Sequence, residues 1–217
     1  MDRRPLKSRN VPVFQALASW LGRRGVTPNA ISVASMAFAL GAGASVLFAD
    51  RHDGSLQHTL WFVAAVCVQL RLLANMLDGM VAVESGNTGP VGELFNEAPD
   101  RVSDVAILVP LGFVAGSSIQ LGYAAALLAL FVAYLRAIGG VAGAGQVFAG
   151  VMSKPKRMFF VTLLCLFQAL TPDAWRAARP VFGLGPTGLL LVLVCAGCIV
   201  TSVSRWREIR RRLEAST

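Results

Sequence analysis

Charged side chains are scarce in this sequence. Asp, Glu, Lys and Arg make up 15% of its 217 residues, whereas hydrophobic residues make up 55% and the mean hydropathy is +0.60. A soluble domain of this length has no need of so much apolar surface, and several apolar runs approach the about 20 residues that cross a bilayer. The composition therefore predicts one all-α, polytopic membrane domain over residues 1–217, without a separate soluble domain.

Histidine and cysteine are also rare, with two and four residues respectively. His52 and His58 flank a predicted outer loop, and all four cysteines lie in apolar runs. Cys195 and Cys198 form a C-x2-C pair, a spacing found in metal and redox sites, but neither a second pair nor a nearby histidine accompanies it. The cysteines are therefore interpreted as small apolar packing residues.

Apolar segments predict about six membrane-spanning helices, each near the length that crosses a bilayer. Their predicted bounds are 30–48, 56–83, 92–115, 121–140, 158–170 and 184–204. The net charge of +8 comes from Lys and Arg gathered at segment ends. Because cytoplasmic loops are rich in Lys and Arg, we expect both termini and the loops after spans two and four on the cytoplasmic side. No basic face interleaves with exposed aromatic residues, which argues against a nucleic-acid partner.

Residues 1–28 are basic and amphipathic, with apolar positions at helical spacing. This pattern predicts an interfacial helix that lies on anionic membrane lipids. Thr27 and Pro28 then form a helix start, with Thr as the cap and Pro at the first helical position. The predicted layout is an amphipathic segment (1–28), a transmembrane bundle (29–205) and a basic tail (206–217).

Half of the 12 acidic residues fall within residues 75–104, between two long apolar runs. They are Asp78, Glu84, Glu93, Glu97, Asp100 and Asp104. Carboxylates beside membrane-length apolar segments are costly to desolvate, so they are functional candidates by default. Asn75 and Asp78 share one helical face, and Asp100 shares a face of the next helix with its acidic neighbours. Antiparallel helices could point these faces at each other and form a site for Mg²⁺ or Mn²⁺, which prefer oxygen ligands.

The same stretch resembles the motif D-x2-D-G-x2-A-R-x8-G-x3-D-x3-D of the CDP-alcohol phosphotransferases. The fixed positions that match, without gaps, are Asp78, Gly79, Ala82, Gly92 and Asp100. Three positions depart from the motif, because Asn75, Val83 and Asn96 stand where the family has Asp, Arg and Asp. The T-P-N entry to the first span, after an amphipathic segment, is also similar to this family.

The resemblance implies roles for these positions. Asp78 and Asp100 would be ligands of a divalent cation, Mg²⁺ or Mn²⁺, and Asp100 would also be the general base. Asn75 and Asn96 can ligate through their amide oxygens, although without charge. Glu97 and Asp104 both lie on the Asp100 face, and we expect these carboxylates to compensate for the two asparagines, with Glu97 in the ligand set. The residues implied in nucleotide binding are Gly79, Ala82 and Gly92.

The resemblance also implies a reaction, in which a phosphatidyl or phospho-alcohol group moves from a CDP-linked donor to an alcohol acceptor and CMP is released. Membrane lipids would surround the enzyme, and a homodimer is possible because the family often dimerises.

Two alternatives to this function remain open. One is a catalytically inactive homologue with a lipid-binding, nucleotide-binding or regulatory role, which the three motif departures indicate. The other is a small transporter, against which stand the gathering of polar groups at one membrane face and the lack of an apparent internal repeat.

Several basic residues are expected on the same cytoplasmic side as the acidic stretch. Those expected to bind a phosphate of the acceptor are Arg136, Lys154, Lys156 and Arg157. Arg71 lies about 10 Å deeper than Asp78 along span two, at about 1.5 Å per residue. Because an unpaired Arg at that depth is costly, we expect an ion pair with Asp104, or with Glu97, that braces the two helices behind the metal site. In the alternative, Arg71 reaches the interface along lipid.

Overall fold

The computed structural model describes residues 11–84, 90–176 and 182–215, most of which are helical. The helices in this part of the chain are α1 (Pro12–Arg23), α2 (Pro28–Ala49), α3 (Gly54–Glu84), α4 (Pro90–Leu111), α5 (Ile119–Val141), α6 (Lys154–Leu170), α7 (Asp173–Arg176) and α8 (Pro186–Glu214). The described residues contain no β-strand, and the expected all-α class is confirmed.

The first two helices begin as the sequence predicts. Helix α1 buries Ala18, packs against α3 and leaves Trp20 exposed. Thr27 caps α2, because its Oγ1 accepts a hydrogen bond from the N–H of Ala30 at 3.2 Å and Pro28 is the first helical residue. The part of the predicted amphipathic segment before residue 11 lies outside the described residues.

Within the described chain, the helices long and apolar enough to cross a membrane are α2, α3, α5 and α8. The protein is therefore a polytopic integral membrane protein. Helix α4 contains most of the acidic stretch, and α6 has 17 residues with basic side chains in its first turn. Six crossings would require α4 and α6 as well, and that count remains a prediction.

Two helices extend beyond the spans expected from hydropathy. Helix α6 begins at Lys154, with Pro155 in its first turn, so the basic cluster 154–157 is helical and does not form a loop. Helix α8 continues to Glu214, so most of the expected basic tail is helical. Hydropathy marks only where the apolar run ends, whereas Lys and Arg are good helix formers and prolong the helix past that point.

Small residues allow the helix backbones to approach closely. Helix α2 packs along both α3 and α4. A Cβ atom on Gly43 of α2 would lie 2.1 Å from the carbonyl oxygen of Ala106 in α4. A Cβ on Gly112 would lie 2.9 Å from the Cα of Gly122 in α5. Close packing of small residues is a common source of helix association in membranes. It places α2 behind the charged residues of α3 and α4.

Candidate active site

Three aspartates of the acidic stretch are buried. Asp78 belongs to α3 and is 3% exposed, whereas Asp100 and Asp104 belong to α4 and are 7% and 0% exposed. Asp100 and Asp104 are one helical turn apart, so they point in the same general direction. The cationic side chains that contact Asp100 and Asp104 from α3 and α6 are Arg71, Lys154 and Arg157. One network of two carboxylates and three cations therefore joins α3, α4 and α6, and Asp78 is not bonded to any of these cations.

Asp78 has one oxygen bound and one oxygen without a partner. The hydroxyl of Ser32 in α2 donates to Asp78 Oδ2 at 2.7 Å, and the same hydroxyl lies 3.2 Å from the carbonyl oxygen of Pro28. The main-chain N–H of Gly79 is nearby, but Asp78 Oδ1 makes no hydrogen bond to any described residue although it is buried. A buried carboxylate oxygen without a donor is costly, so this atom marks a place where a ligand fits.

Both oxygens of Asp100 are already bound. The amide nitrogen of Asn75 donates to Oδ1, and the ammonium of Lys154 contacts Oδ2. Two guanidinium groups lie further out, with Arg71 Nη2 at 3.5 Å from Oδ1 and Arg101 Nη2 at 3.5 Å from Oδ2. Asp100 is therefore surrounded by positively charged side chains.

Asp104 is shared by two buried arginines. Arg71 Nη2 lies 3.0 Å from Asp104 Oδ1, which is the ion pair expected from the depth of the two residues. Arg157 Nη2 lies 2.7 Å from the other oxygen, Oδ2. Arg71 and Arg157 are 0% and 1% exposed, so neither reaches water or the membrane interface. The alternative in which Arg71 extends along lipid is therefore wrong.

Glu97 takes a different position from the one expected. Its Oε1 contacts the guanidinium of Arg136 in α5, and its Oε2 lies 3.3 Å from Arg101 Nη2. The side chain is 42% exposed. Three residues before Asp100, Glu97 is rotated by about 60° around the helix, which turns it toward α5 and solvent. The expectation that Glu97 joins Asp78 and Asp100 as a metal ligand is corrected here, as is the alternative pair of Glu97 with Arg71.

The four basic residues expected to bind an acceptor phosphate do not form one cluster. Lys154 contacts Asp100, and Arg136 contacts Glu97. Arg157 is buried against Asp104 and donates from Nη1 to the carbonyl oxygen of Met152 at 3.2 Å, so it serves the internal charge network and not an open anion site. Lys156 is exposed.

The remaining motif positions lie on the same two helices. Gly79 and Ala82 are buried in α3 close to Asp78, and Gly92 is half-buried near the start of α4. Asn75 is half-buried and reaches Asp100 across the helix pair. Asn96 belongs to α4, but its side chain lies outside the described residues.

Two buried polar residues, one at the site and one elsewhere in the bundle, were missed by sequence reasoning. Ser32, the donor to Asp78, comes from α2, and a small polar residue inside an apolar span is the signal that could have revealed it. Arg205 of α8 is 6% exposed and donates to the carbonyl oxygens of Val132 at 2.5 Å and Ala149 at 3.1 Å. The signal for Arg205 was a charge at the very end of the predicted bundle (29–205), just beyond the last predicted span.

The described residues offer one open carboxylate oxygen to a divalent cation. Asp78 Oδ1 is buried and makes no hydrogen bond to a described residue, and Asn75, one turn before Asp78 in α3, donates to Asp100. Carboxylate oxygens are the ligands that Mg²⁺ and Mn²⁺ prefer. No group of three acidic, His or Cys side chains converges anywhere in the described part of the chain. The geometry therefore offers Asp78 as the principal protein ligand.

Comparison with known proteins identifies the family. No family model matches the chain. The chain is 32% identical over 192 residues to the phosphatidylinositol phosphate synthase of Mycobacterium marinum, covering 83% of this chain and 76% of the relative. It is 27% identical over 166 residues to the inner membrane protein YnbA of Escherichia coli, covering 75% and 80% of the two chains. The chain belongs to the CDP-alcohol phosphotransferase family.

Solved structures of a Mycobacterium tuberculosis phosphatidylinositol phosphate synthase share the fold. The complex with bound CDP-DAG gives a TM-score of 0.70 at 19% identity and covers 91% of this chain and 93% of that chain. The complex with manganese and citrate also gives 0.70 at 19% identity and covers 91% and 88%. At this identity the likeness shows the fold alone.

Proposed function

We propose that this protein is a membrane-embedded transferase of phospholipid synthesis. It moves a phosphatidyl or phospho-alcohol group from a CDP-linked donor to an alcohol acceptor, releases CMP and uses a divalent cation, Mg²⁺ or Mn²⁺. Membership of the family supports this reaction, and so do the relatives named as phosphatidylinositol phosphate synthases. All of residues 1–217 are proposed to serve it as one domain.

One observation carries the proposal. Asp78 and Asp100, the two motif aspartates that this chain retains, lie close together in the folded protein although they belong to different helices. Asp78 keeps a buried oxygen without a hydrogen bond to any described residue, and Asp100 lies among the cationic side chains of Arg71, Arg101 and Lys154. A free ligand oxygen beside an oriented carboxylate is the arrangement that a metal-assisted transfer to a hydroxyl requires.

In the proposed reaction the acceptor hydroxyl gives its proton to Asp100, which acts as general base. The acceptor oxygen bonds to the phosphorus distal to the cytidine, the phosphoanhydride P–O bond breaks, and its electron pair leaves with CMP. A divalent cation at Asp78 would neutralise the charge that develops on the pyrophosphate oxygens. Asn75 and Lys154 orient the Asp100 carboxylate, and Gly79 and Ala82 leave room on α3 for the nucleotide.

An apolar groove supports a lipid as the donor. The groove has a volume of about 390 Å³ and lies between α1, α3 and α6. Its walls include Phe14, Phe62, Leu70 and Leu166, and the amide nitrogen of Gln69 donates to the Thr162 hydroxyl at 2.7 Å along it. Leu70 precedes Arg71 in α3, so the groove runs along the helix that carries Asp78. Acyl chains fit such a surface better than a soluble CDP-alcohol would.

The basic residues at the site support an acceptor that carries a phosphate. Arg136 is half-buried and lies on a carboxylate that a phosphate could replace. Lys156 is exposed on the same helix end as Lys154 and adds positive charge. The relatives' product name, phosphatidylinositol phosphate, favours an inositol phosphate over a neutral alcohol.

The charge distribution supports a cytoplasmic site. Basic residues occur in the first turn of α6 and in the last turns of α8. Under the rule that Lys and Arg mark the cytoplasmic face, both termini and the site lie on that side and the chain crosses six times. Cysteine labelling in intact cells tests this arrangement, and termini found on opposite sides would contradict it.

The reaction is tested by CMP release from the purified protein. CDP-diacylglycerol, Mg²⁺ and a panel of alcohols with and without phosphate are supplied, and lipid products are analysed. CMP release that requires both an acceptor and the cation supports the proposal. Asp53→Asn is the matched control for substitutions of the motif carboxylates, because Asp53 is exposed between α2 and α3.

A binding homologue without catalysis is the second candidate. Asn75 and Val83 replace charged motif residues, and both oxygens of Asp100 are covered by donors. Saturable binding of CDP-diacylglycerol without CMP release, for every acceptor and with either cation, would favour this reading over the transferase.

A further inference from the structure

We propose that Lys154 is a built-in counter-cation for Asp100, so that the protein binds one divalent cation, at Asp78, and not two. This inference rests on the proposed metal-dependent function. It assigns to Lys154 a role in setting the metal content of the site, which differs from the acceptor binding expected from its sequence position.

The charge of the motif provides the first argument. In the family pattern, positions 75, 78, 96 and 100 are all aspartate, a formal charge of −4 that two divalent cations would balance. In this chain two of the four are asparagine, which leaves Asp78 and Asp100 with a formal charge of −2. One divalent cation balances that charge, and Lys154 reduces the demand for positive charge further.

The position of Lys154 provides the second argument. Its ammonium contacts Asp100 Oδ2, while the Asn75 amide nitrogen donates to Oδ1. A metal ion bound to Asp100 would have to displace these donors and would lie next to an ammonium and two guanidinium groups. Like charges at such distances repel strongly in a buried site. Asp100 is therefore a poor metal ligand as long as Lys154 remains.

Asp78 differs from Asp100 in this respect. Asp78 Oδ2 accepts a hydrogen bond from the neutral hydroxyl of Ser32. The other oxygen, Oδ1, is buried and makes no hydrogen bond to any described residue. Among the described residues, no cationic side chain forms a salt bridge or a hydrogen bond with Asp78. The structure thus separates the two motif aspartates into one that accepts a metal and one that is already neutralised.

The experiment measures Mn²⁺ binding to the full-length protein in detergent, without substrates, from the EPR signal of free Mn²⁺. The wild-type protein is expected to bind one Mn²⁺ per chain. Removing the ammonium with Lys154→Gln should raise Mn²⁺ affinity at least about tenfold or add a second ion, since a positive charge beside the ligands is lost. Lys156→Gln removes the same charge from an exposed position two residues away and should change affinity less than about twofold.

Lys154→Arg keeps the charge and is expected to leave Mn²⁺ binding close to wild type. Two Mn²⁺ ions per wild-type chain, or none, would overturn the proposal without any variant. Equal effects of Lys154→Gln and Lys156→Gln would also overturn it. If Lys154→Gln leaves the Mn²⁺ affinity unchanged and raises the KM for a phosphorylated acceptor, Lys154 would be assigned to acceptor binding instead. Because the readout is metal binding, a single bound Mn²⁺ without CMP release would refute the transferase and leave this inference standing.

Discussion

Replacing Asp104 with asparagine is expected to destabilise the protein severely while leaving both motif aspartates in place. Asp104 is fully buried and bridges Arg71 at 3.0 Å and Arg157 at 2.7 Å. The substitution keeps the size of the side chain but removes its charge, so two buried guanidinium groups lose their main counter-charge. Arg71 retains weaker contacts to Asp100, at 3.4 Å to its carbonyl oxygen and 3.5 Å to Oδ1. Arg157 retains the carbonyl oxygen of Met152.

Breaking one buried ion pair costs about 3–5 kcal/mol, because an uncompensated charge remains. For a chain of 150–250 residues, 1 kcal/mol lowers the Tm by about 2–4 °C, so Asp104→Asn should lower the Tm by about 6–20 °C. The assay is thermal unfolding of the detergent-purified protein, followed by the loss of monodisperse protein. Asp53→Asn is the control and should shift the Tm by less than about 2 °C, as expected for an exposed residue.

A neutral double-mutant cycle then tests whether the network acts as one unit. Arg157→Met should be strongly destabilising alone, and combining it with Asp104→Leu should cost much less than the sum of the two, because no buried charge of that pair is left unpaired. Exchanging the charges of Arg71 and Asp104 is a poorer test, since Arg157 would then face a second cation. If Asp104→Asn shifts the Tm no more than the control does, the reasoning that this network holds α3, α4 and α6 together is refuted.

Four further substitutions are expected to separate catalysis from structure. Asp78→Asn and Asp100→Asn should each lower CMP release at least about 10²-fold while the protein stays folded, as removal of a charge-stabilising ligand or a general base does; full activity in either variant would contradict the assigned roles. Ser32→Ala should weaken Mn²⁺ binding at least about tenfold, since a hydrogen bond to a charged group contributes about 1.5–3 kcal/mol and orients Asp78; unchanged binding in a metal titration would exclude this positioning role. Glu97→Gln should leave Mn²⁺ affinity unchanged and lower stability by less than about 1 kcal/mol, because its ion pairs are partly exposed; a clear loss of Mn²⁺ affinity would restore Glu97 to the ligand set.

The sequence predicts those parts of the site that follow from helical geometry within one helix pair. The spacing from Arg71 to Asp78 and from Asp100 to Asp104 fixes depth and face along α3 and α4, and this was enough to pair Arg71 with Asp104. The same reasoning misplaced Glu97, because a position three residues from Asp100 is near its face without being on it. Only the actual rotation of α4 against α5 decides that Glu97 meets Arg136.

Contacts contributed by distant helices could not be predicted, because periodicity gives no distance between helices that are not consecutive. Ser32 reaches Asp78 from α2, and Arg157 reaches Asp104 from α6. Hydropathy also places the start of α6 too late, since it assigns residues 154–157 to a loop. In a loop, Lys154 and Arg157 would both be free to bind an acceptor phosphate.

The early start of α6 changes the chemistry that these residues can perform. Lys154 and Arg157 lie about one turn apart in one helix, and both side chains contact carboxylates of α4. That spacing matches the one-turn separation of Asp100 and Asp104, and each cation therefore meets its own carboxylate. Arg157 is sealed in the core, whereas Lys154 stays at the margin of the site with a side chain 22% exposed. Arg157 is thus a permanent, buried partner of Asp104, whereas Lys154 can move away from Asp100 when another cation binds. For this reason Lys154, and not Arg157, is the residue that can govern metal binding.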